Sequence, residues 1–491
     1  MHLVQLRLRP EPLHADVQRL SEALRRSVGI ALFACGVRAA CFISKLHDPA
    51  WAVARFDEEA YLALAQRVAS QGWTSIHEPL HLSPLWTATL VALRACMGTA
   101  PWVPLVFNQL CGIATLMLAH HVAVQRTDPK SAAIASAVGA FIGPVCFYEL
   151  TPMPDALVSL SVTASLASHL WLSERVTWRR SAITCGLVAI ATLARASAIV
   201  LIPFVAATVL RHECDRSTKL RALSVGLLAF ALVTAPLALR GVIATGEPQW
   251  IASAGAIDLF IGNGAGATGT WRPPPGFRGE ETGDLFAFAE DEAQRALGRA
   301  ATDSEVQIWW VEHTLDDIAE SPISWLRVLL TKARFALAAT ELGDNRDYQS
   351  ERAFNQALSG PWAFPISFLL ALAMAGLALQ AGVGQQGSSS RLPLVASAIV
   401  LPAATLLGVY VLGRYRIAFV GPWVIAAAHG LSAARAAVAS RRFQFAAFLG
   451  AITTILAVAS FLSAVPRPSA AVLRHARRVD LERAAIEHAP R

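Results

Sequence analysis

Three consecutive acids early in the chain are the first candidates for chemistry. The run RFDEEAY extends from Arg55 to Tyr61 and places Asp57, Glu58 and Glu59 side by side. A carboxylate at this position could act as a general base. The alternative is that the acids form the first turn of a helix, where negative charge complements the helix dipole and Tyr61 begins an apolar face. The sequence is compatible with both interpretations.

A second acid, Asp155, opens a long apolar segment, and Glu149 ends the preceding one. Ionisable side chains beside apolar segments of this length are candidates for function. Asp155 also follows Pro152 and Pro154 and precedes a predicted helix, a setting in which aspartate often caps the N-terminus. We therefore predict an N-cap at Asp155, a role that does not exclude a functional one.

Three arginines lie where apolar segments break or end. Arg195 interrupts the stretch 182–210, and Arg414 and Arg416 flank Tyr415 at the end of another apolar segment. A guanidinium in such a place needs an anionic partner, and a phosphate matches its planar donors. The alternatives are pairing with an acid for Arg195, and extension of the side chain towards lipid headgroups for the other two.

Other motifs support neither a cofactor nor a metal. The run from Gly262 to Gly269 contains a formal GxGxxG, but Trp271 and the prolines at 273–275 follow it, so no helix begins where a pyrophosphate would bind. His77 and His81 lack the HExxH spacing, and the seven cysteines include no CxxC pair. We predict no cofactor and no metal site.

The composition indicates a membrane protein. Of 491 residues, 54% are hydrophobic and only 16% are charged, against about 25% in soluble domains, and the mean hydropathy is +0.45. The net charge of +7 is unevenly distributed, since residues 244–361 hold eighteen acids and nine bases. The remaining basic residues lie between apolar segments, which argues against nucleic-acid binding.

The lengths of the apolar segments predict an all-α polytopic membrane protein. A helical span needs about 20 apolar residues. Candidate spans are residues 27–45, 102–124, 131–148, 154–173, 220–243, 362–383, 391–412, 416–435 and 443–465. The stretch 182–210 is too long for one span and is broken at Arg195–Ser197, which predicts a pair of short helices. We expect about eleven transmembrane helices, including this broken pair.

The distribution of arginine and lysine predicts which segments face outward. If 84–98 lies along the outer interface instead of crossing the membrane, the N-terminus and the basic links between spans all face the cytoplasm. The loop 46–101, the corner Tyr148–Asp155, the acidic segment and the link Gly413–Arg416 then lie on the outer face. The candidate acids and the late arginines would therefore converge on one side.

These assignments divide the chain into five segments. They are a cytoplasmic N-terminal segment (1–26), an N-terminal transmembrane module (27–243), an extracytoplasmic insert of mixed structure (244–361), a C-terminal transmembrane module (362–465) and a polar tail (466–491). The catalytic outer loop 46–101 belongs to the first module.

The motifs, in their order, resemble the GT-C-type membrane glycosyltransferases of the dolichyl-phosphate-mannose protein mannosyltransferase group, including bacterial lipid A aminoarabinose transferases. The resemblance extends over about residues 27 to 435. It is carried by Phe56-Asp57-Glu58 with Tyr61 and Ala65, Pro79-Leu80 with Ser83-Pro84-Leu85, Asp155, Gly186-Leu187 through Leu193-Ala194-Arg195, Phe260-Ile261-Gly262-Asn263 with Gly269, Ser321-Pro322 with Lys332, Glu341 and Asn345, and Arg414-Tyr415-Arg416 with Pro422. Two departures are the third acid, Glu59, and an arginine at 195, where many relatives carry lysine.

The resemblance implies an inverting transfer of sugar from a polyprenyl-phosphate donor to an extracytoplasmic acceptor. Asp57 would be the base, and Glu58 and Asp155 would position the substrate or tune Asp57. The substrate-binding residues would be Arg195, Tyr61, Glu341, Asn345, Arg414 and Arg416, with the arginines stabilising the departing phosphate. The expected setting is a bacterial inner membrane, with membrane lipids around the spans and the site facing outward.

Two other functions compete with this one. A transporter or flippase of lipid-linked sugars predicts internal repeats and charges near the middle of the membrane, whereas the chain shows no duplicated half and its carboxylates lie at helix ends. An O-antigen ligase or polymerase would use diphosphate-linked donors and would need more outer-face cations than the sequence offers.

Overall fold

The computed structural model describes residues 11–48, 50–279, 281–382 and 391–439, together with residues 450, 453 and 454. Within these ranges the chain is helical and contains no strand, apart from one isolated bridge between Ile142 and Phe364. The fold is therefore all-α, as predicted. The predicted span 443–465 and the tail 466–491 lie outside the described residues, except for the three single positions.

The N-terminal module contains ten helices. They are α1 (Glu11–Lys45), α2 (Asp57–Gln71), α3 (Pro84–Met97), α4 (Trp102–Arg126), α5 (Pro129–Ala140), α6 (Gly143–Tyr148), α7 (Asp155–Glu174), α8 (Trp178–Ala194), α9 (Leu201–Arg211) and α10 (Arg216–Thr245). Helix α1 begins inside the segment that was predicted to precede the first span.

The second half of the described chain contains ten more helices. In the insert they are α11 (Gly255–Asn263), α12 (Thr282–Leu297), α13 (Asp303–Glu320), α14 (Pro322–Leu337), α15 (Tyr348–Glu351) and α16 (Gln356–Ser359). The C-terminal module has α17 (Ile366–Gly382), α18 (Arg391–Val395), α19 (Leu401–Gly408) and α20 (Val420–Ala439), with a 3-10 helix at Arg414–Phe419. The described part of the insert is built of helices and loops, whereas we predicted mixed structure.

Polar caps mark where several of these helices begin. The Ser83 hydroxyl accepts a hydrogen bond from the Trp86 amide at 3.3 Å, and Pro84 occupies the first helical position of α3. The Asp128 carboxylate likewise caps α5, and that of Asp215 caps α10. Such side chains satisfy amide groups that have no partner within the helix, so the sequence itself fixes these starting points.

Six described helices are long and apolar enough to cross a membrane. They are Ser27–Lys45, Trp102–Arg126, Asp155–Glu174, Arg216–Thr245, Arg391–Gly408 and Arg414–Ala436. Helix α3, with 14 residues, is about 21 Å long and falls short of a bilayer core of about 30 Å. This length agrees with the prediction that 84–98 lies along the interface.

Two predicted spans are broken in the structure. Residues 131–148 form α5 and α6 instead of one helix, with the interruption at Phe141 and Ile142 just before Gly143 and Pro144. The predicted break at 195–197 is confirmed, because α8 ends at Ala194 and Arg195 is extended, with φ −152° and ψ 117°. The described residues contain six helices long enough to span a membrane, and the expected total of about eleven stays a prediction.

Small residues allow the helices of the bundle to approach closely. Helices α17 and α20 touch at Gly376 and Gly430, where a methyl group on either residue would collide with the backbone of the other helix. Close backbone contact at small residues is a common way of joining membrane helices. Helix α20 also packs against α4, α5 and α7. The segment that carries Arg414 and Tyr415 directly precedes α20 and is therefore held in place by these contacts.

A buried ion pair explains the arginine that interrupts the first span. The Arg38 Nη2 atom lies 3.0 Å from Glu149 Oε1, and both side chains are 1% exposed. Arg38 Nη1 also donates to the Ala140 carbonyl oxygen at 3.1 Å. The pair joins α1 to the end of α6 and so helps to position the corner at 148–155.

The insert is tied to the outer loop of the first module. The Arg240 guanidinium donates to the carbonyl oxygens of Ile76 and Glu78, and the Gln249 amide donates to the Leu80 carbonyl oxygen at 2.8 Å. These contacts fix the link between α2 and α3 against the start of the insert. Helix α2, which carries the acids, also contacts α12.

Candidate active site

A strained turn presents Asp57. The Glu58 amide donates to the Arg55 carbonyl oxygen at 2.9 Å, and Phe56 between them has φ 47° and ψ −114°. These angles are close to those of the first central position in a type II′ turn, which normally requires glycine. A bulky residue there costs about 1–3 kcal/mol and persists only where surrounding contacts enforce it. The turn spans residues 55–58 and so includes Asp57 and Glu58, the first two residues of α2.

Both oxygens of the Asp57 carboxylate are engaged. Oδ2 lies 2.7 Å from Arg414 Nη2, and Oδ1 accepts a hydrogen bond from the Thr282 hydroxyl at 2.7 Å. The Asp57 side chain is 23% exposed. An acid from the loop that follows α1 and an arginine from the last described span therefore meet directly.

Arg414 is the centre of the site. Its Nε atom also forms an ion pair with Asp344, and its guanidinium lies 5.0 Å from the centre of the Tyr415 ring. Burial raises the pKa of Asp344 to about 6, while Arg414 opposes this rise. Asp344 was not among the predicted site residues. Arg414 is thus held between two carboxylates and one aromatic ring.

A second arginine lies over the same ring. The Arg195 guanidinium is 4.2 Å from the centre of the Tyr415 ring, and its Nη2 atom is 3.0 Å from Asp155 Oδ1. Asp155 is fully buried, and its Oδ2 atom has no hydrogen-bond partner. The predicted N-cap is wrong, because Pro154 is the capping residue of α7 and Asp155 makes no capping hydrogen bond. Its carboxylate is used for the ion pair instead.

Asp258 is a site residue that the sequence analysis missed. Its Oδ1 atom accepts a hydrogen bond from the Tyr410 hydroxyl at 2.9 Å, and the Tyr410 and Tyr415 hydroxyls are 3.4 Å apart. Burial raises the pKa of Asp258 to about 7. A lone acid within the apolar run AIDLFIG was the available signal. Through the two tyrosines, Asp258 connects the insert to both site arginines.

The raised pKa of Asp258 gives a testable pH dependence. As pH rises from 3.8 to about 7, the unfolded chain loses this proton while the folded chain keeps it, so this group's contribution to stability falls across that window. We expect the melting temperature of Asp258→Asn to fall less than that of the wild type over the same window. Melting curves in detergent would measure this, with the exposed Asp316→Asn as control. Equal slopes for wild type and Asp258→Asn would contradict it.

Glu58, a predicted site residue, lies in a buried ion-pair network. Its Oε1 and Oε2 atoms lie 2.7 and 2.8 Å from Arg346 Nε and Nη2, and the residue is fully buried. Arg346 also pairs with Glu351 at 3.2 Å, and Arg55 pairs with Glu351 at 2.8 Å. This buried network joins α2 to the end of the insert. Because a two-point contact with Arg346 already occupies the carboxylate, Glu58 positions its neighbour Asp57.

Arg416 and Glu341, both predicted to bind substrate, form a buried ion pair with each other. They lie 2.6 Å apart, and their side chains are 1% and 0% exposed. Arg416 Nη1 donates to the carbonyl oxygens of Ala338 at 2.6 Å and Ala336 at 3.3 Å, at the end of α14. The pair thus holds α14 against the start of α20, away from solvent.

The two remaining predicted residues, Tyr61 and Asn345, make contacts next to the site and, within the part of the chain that the structure describes, form no hydrogen bond with Arg414 or Asp57. The Tyr61 hydroxyl accepts a hydrogen bond from the Ser83 amide at 3.0 Å and so joins α2 to α3. The Asn345 amide is buried, 3.9 Å from the Met153 sulfur. Among the described residues, no group of three His, Cys, Asp or Glu side chains could hold a metal ion.

Lys332 and Asn263, both within motifs that carry the resemblance, hold in place the chain segment that precedes Arg414. The buried Lys332 amine donates to the Leu407 carbonyl oxygen at 2.9 Å and to Asn263 Oδ1 at 2.8 Å. The Asn263 amide donates to the Gly408 carbonyl oxygen at 2.7 Å. These contacts satisfy the last carbonyl groups of α19, and burial lowers the Lys332 pKa to about 7. They anchor the segment 409–413 that leads to Arg414.

The chain matches no protein-family model and no curated protein. Among solved structures, it is similar to the oligosaccharyltransferase AglB from Archaeoglobus fulgidus in complex with an inhibitory peptide and a dolichol-phosphate, with 13% identity and a TM-score of 0.44 over 89% of this chain and 56% of that one. It thus spans little more than half the length of the archaeal enzyme. It is also similar to ArnT from Cupriavidus metallidurans bound to undecaprenyl phosphate, with 13% identity and a TM-score of 0.38 over 84% of this chain and 79% of that one.

Proposed function

We propose that the chain is an inverting glycosyltransferase that moves a sugar from a polyprenyl-phosphate-linked donor to the hydroxyl group of an extracytoplasmic acceptor. The observation that carries the proposal is the 2.7 Å contact between Asp57 and Arg414, beside Arg195 on the same tyrosine ring. A base and two cations at one end of a membrane bundle are the groups that this reaction needs.

Asp57 is the proposed general base. It takes the proton from the acceptor hydroxyl as that oxygen forms a bond to the anomeric carbon of the sugar, and the bond from that carbon to the phosphate oxygen breaks. Polyprenyl phosphate leaves as a stable anion, so the reaction needs no general acid. Glu58 and Arg346 fix the first turn of α2, which keeps Asp57 directed at the acceptor.

Arg414 and Arg195 are the proposed phosphate-binding groups. Their side chains are 10% and 15% exposed, whereas Arg416 is 1% exposed and already paired. Preorganised guanidinium groups stabilise charge that develops on a leaving phosphate. Asp155 and Asp344 hold the two arginines in place when no phosphate is bound.

The position of the site suits a lipid-linked donor. Arg414 lies at the beginning of one candidate span and Asp155 at the beginning of another. A phosphate on a lipid chain would therefore reach both arginines from within the bilayer, while the insert 244–361 covers them and contacts the acceptor. We assign this end of the bundle to the outer face of a bacterial inner membrane.

Binding of the carrier lipid tests the two arginines. In nanodiscs, undecaprenyl phosphate should bind about 10- to 100-fold more weakly to Arg414→Gln and to Arg195→Gln than to the wild type, since each loses charged hydrogen bonds. Arg435→Gln is the matched control, because Arg435 forms an exposed pair with Asp128 at 3.0 Å. Unchanged binding in both site variants would remove the phosphate role. Sugar transfer in the same nanodiscs would distinguish an enzyme from a flippase, which releases no product.

A further inference from the structure

We propose that the Thr282 hydroxyl occupies the place of the acceptor hydroxyl on Asp57, and that the first turn of α12 moves aside when an acceptor binds. The proposal rests on the function proposed above and adds to it the acceptor subsite and its cover. It identifies the ligand of that subsite as an alcohol that enters from the side of the insert.

The contact has the geometry of a base and its substrate. Thr282 Oγ1 donates to Asp57 Oδ1 at 2.7 Å, and a general base must lie about 2.6–3.2 Å from the group whose proton it removes. Since Arg414 occupies Oδ2, an acceptor hydroxyl directed at Oδ1 competes with Thr282 for that oxygen. The contact with Arg414 is between opposite charges and is reinforced by Asp344, so the contact with the uncharged Thr282 hydroxyl is the weaker one.

The first turn of α12 is built so that it can move alone. Glu281, Gly283 and Asp284 are exposed, and Glu281 and Asp284 form a capping box within the turn, while the Thr282 side chain reaches Asp57. The rest of the helix is anchored by buried Leu285, Ala289 and Ala293. The Trp310 indole also donates to the Ala289 carbonyl oxygen at 3.0 Å. A displacement of one turn therefore opens Oδ1 without unpacking the insert.

A different role for Thr282 would be to orient Asp57 during catalysis. When the hydroxyl is removed, the proposed covering role predicts a lower acceptor KM and the orienting role predicts a lower kcat. A group that competes with the acceptor raises the acceptor KM, so its loss lowers KM and leaves kcat at least as high. A group that orients the base supports kcat, so its loss lowers kcat.

Chemical modification of Asp57 tests whether Thr282 covers this carboxylate, and it does not require sugar transfer. The full-length protein in nanodiscs is treated with a water-soluble carbodiimide and glycinamide, and modification of Asp57 is measured by peptide mass spectrometry relative to the exposed Asp291. Thr282→Val should modify about tenfold faster at Asp57 than the wild type, because a hydrogen bond to a charged group is lost. Thr282→Ser, which keeps the hydroxyl, and Thr331→Val, whose hydroxyl bonds within its own helix, should match the wild type. Equal rates in Thr282→Val and wild type would overturn the proposal.

Kinetic measurements test the acceptor subsite and distinguish a failure of the proposed transfer reaction from a failure of the proposed role of Thr282. In the transfer assay, Thr282→Val should lower the acceptor KM about tenfold without lowering kcat. A lower kcat at unchanged KM would assign Thr282 to orientation and overturn the proposal. Absence of transfer by the wild type would remove the proposed function and the acceptor with it, whereas faster carbodiimide modification of Thr282→Val would still show that Thr282 covers Asp57.

Discussion

Asp57→Asn is expected to lower sugar transfer by about 100- to 10,000-fold, the usual contribution of a positioned general base. The amide has nearly the shape of the carboxylate but cannot take up the acceptor proton. Its single oxygen can accept a hydrogen bond from Thr282 or from Arg414, and Asp344 still pairs with Arg414, so the fold around the site should be kept. The measurement is release of polyprenyl phosphate by purified protein in nanodiscs, with expression and melting temperature recorded in parallel.

Glu59→Gln is the matched control for this substitution. Glu59 lies in the same first turn of α2 and carries the same charge, but its side chain is exposed whereas Glu58 and Asp57 face the protein. Transfer by Glu59→Gln should stay within about twofold of the wild type, because surface charges of this kind contribute little. Normal transfer by Asp57→Asn, or equal losses in both variants, would remove Asp57 from the mechanism.

Arg416→Ala is expected to destabilise the fold by about 3–5 kcal/mol, because it leaves the Glu341 carboxylate buried without its cation. It also frees the carbonyl groups at the end of α14. We therefore expect a large drop in melting temperature and poor recovery from detergent extracts, both visible by thermal unfolding and size-exclusion chromatography.

The double variant Arg416→Met with Glu341→Met separates stability from substrate binding. Replacing a whole buried ion pair with apolar side chains is often neutral for stability, so the double variant should recover most of the melting temperature. It should also bind undecaprenyl phosphate as the wild type does. Full stability in Arg416→Ala, or lost lipid binding in a stable double variant, would return Arg416 to the substrate-binding residues.

The sequence predicted best which residues lie at the same end of the helix bundle, because span length and the positions of basic residues restrict the possible topologies. The positive-inside rule and the lengths of the apolar segments placed Asp57 and Arg414 on one face, and the two side chains are in contact. The break at Arg195 was visible because an apolar stretch too long for one span contained a charge. The acidic first turn of α2 was visible because helix termini favour acids.

The roles of individual charged residues depended on partners that are distant in the sequence. Arg414 and Arg416 are two residues apart on a 3-10 helix, yet one reaches Asp57 and the other is buried against Glu341. Glu58 meets Arg346 across 288 residues, and Thr282 meets Asp57 across 225. Which of these distant residues come into contact depends on how the insert packs on the bundle, and no local sequence pattern predicts that packing.

The ion pair between Arg38 and Glu149 has a consequence for biosynthesis. Arg38 lies near the middle of the first span, and its partner follows 111 residues later, a delay of about 6 to 22 s at ordinary rates of translation. An arginine at the centre of a lone helix costs about 2.5–3.5 kcal/mol of insertion free energy. We therefore expect the first helix to gain part of its stability in lipid only after α6 has emerged and Glu149 can pair with Arg38.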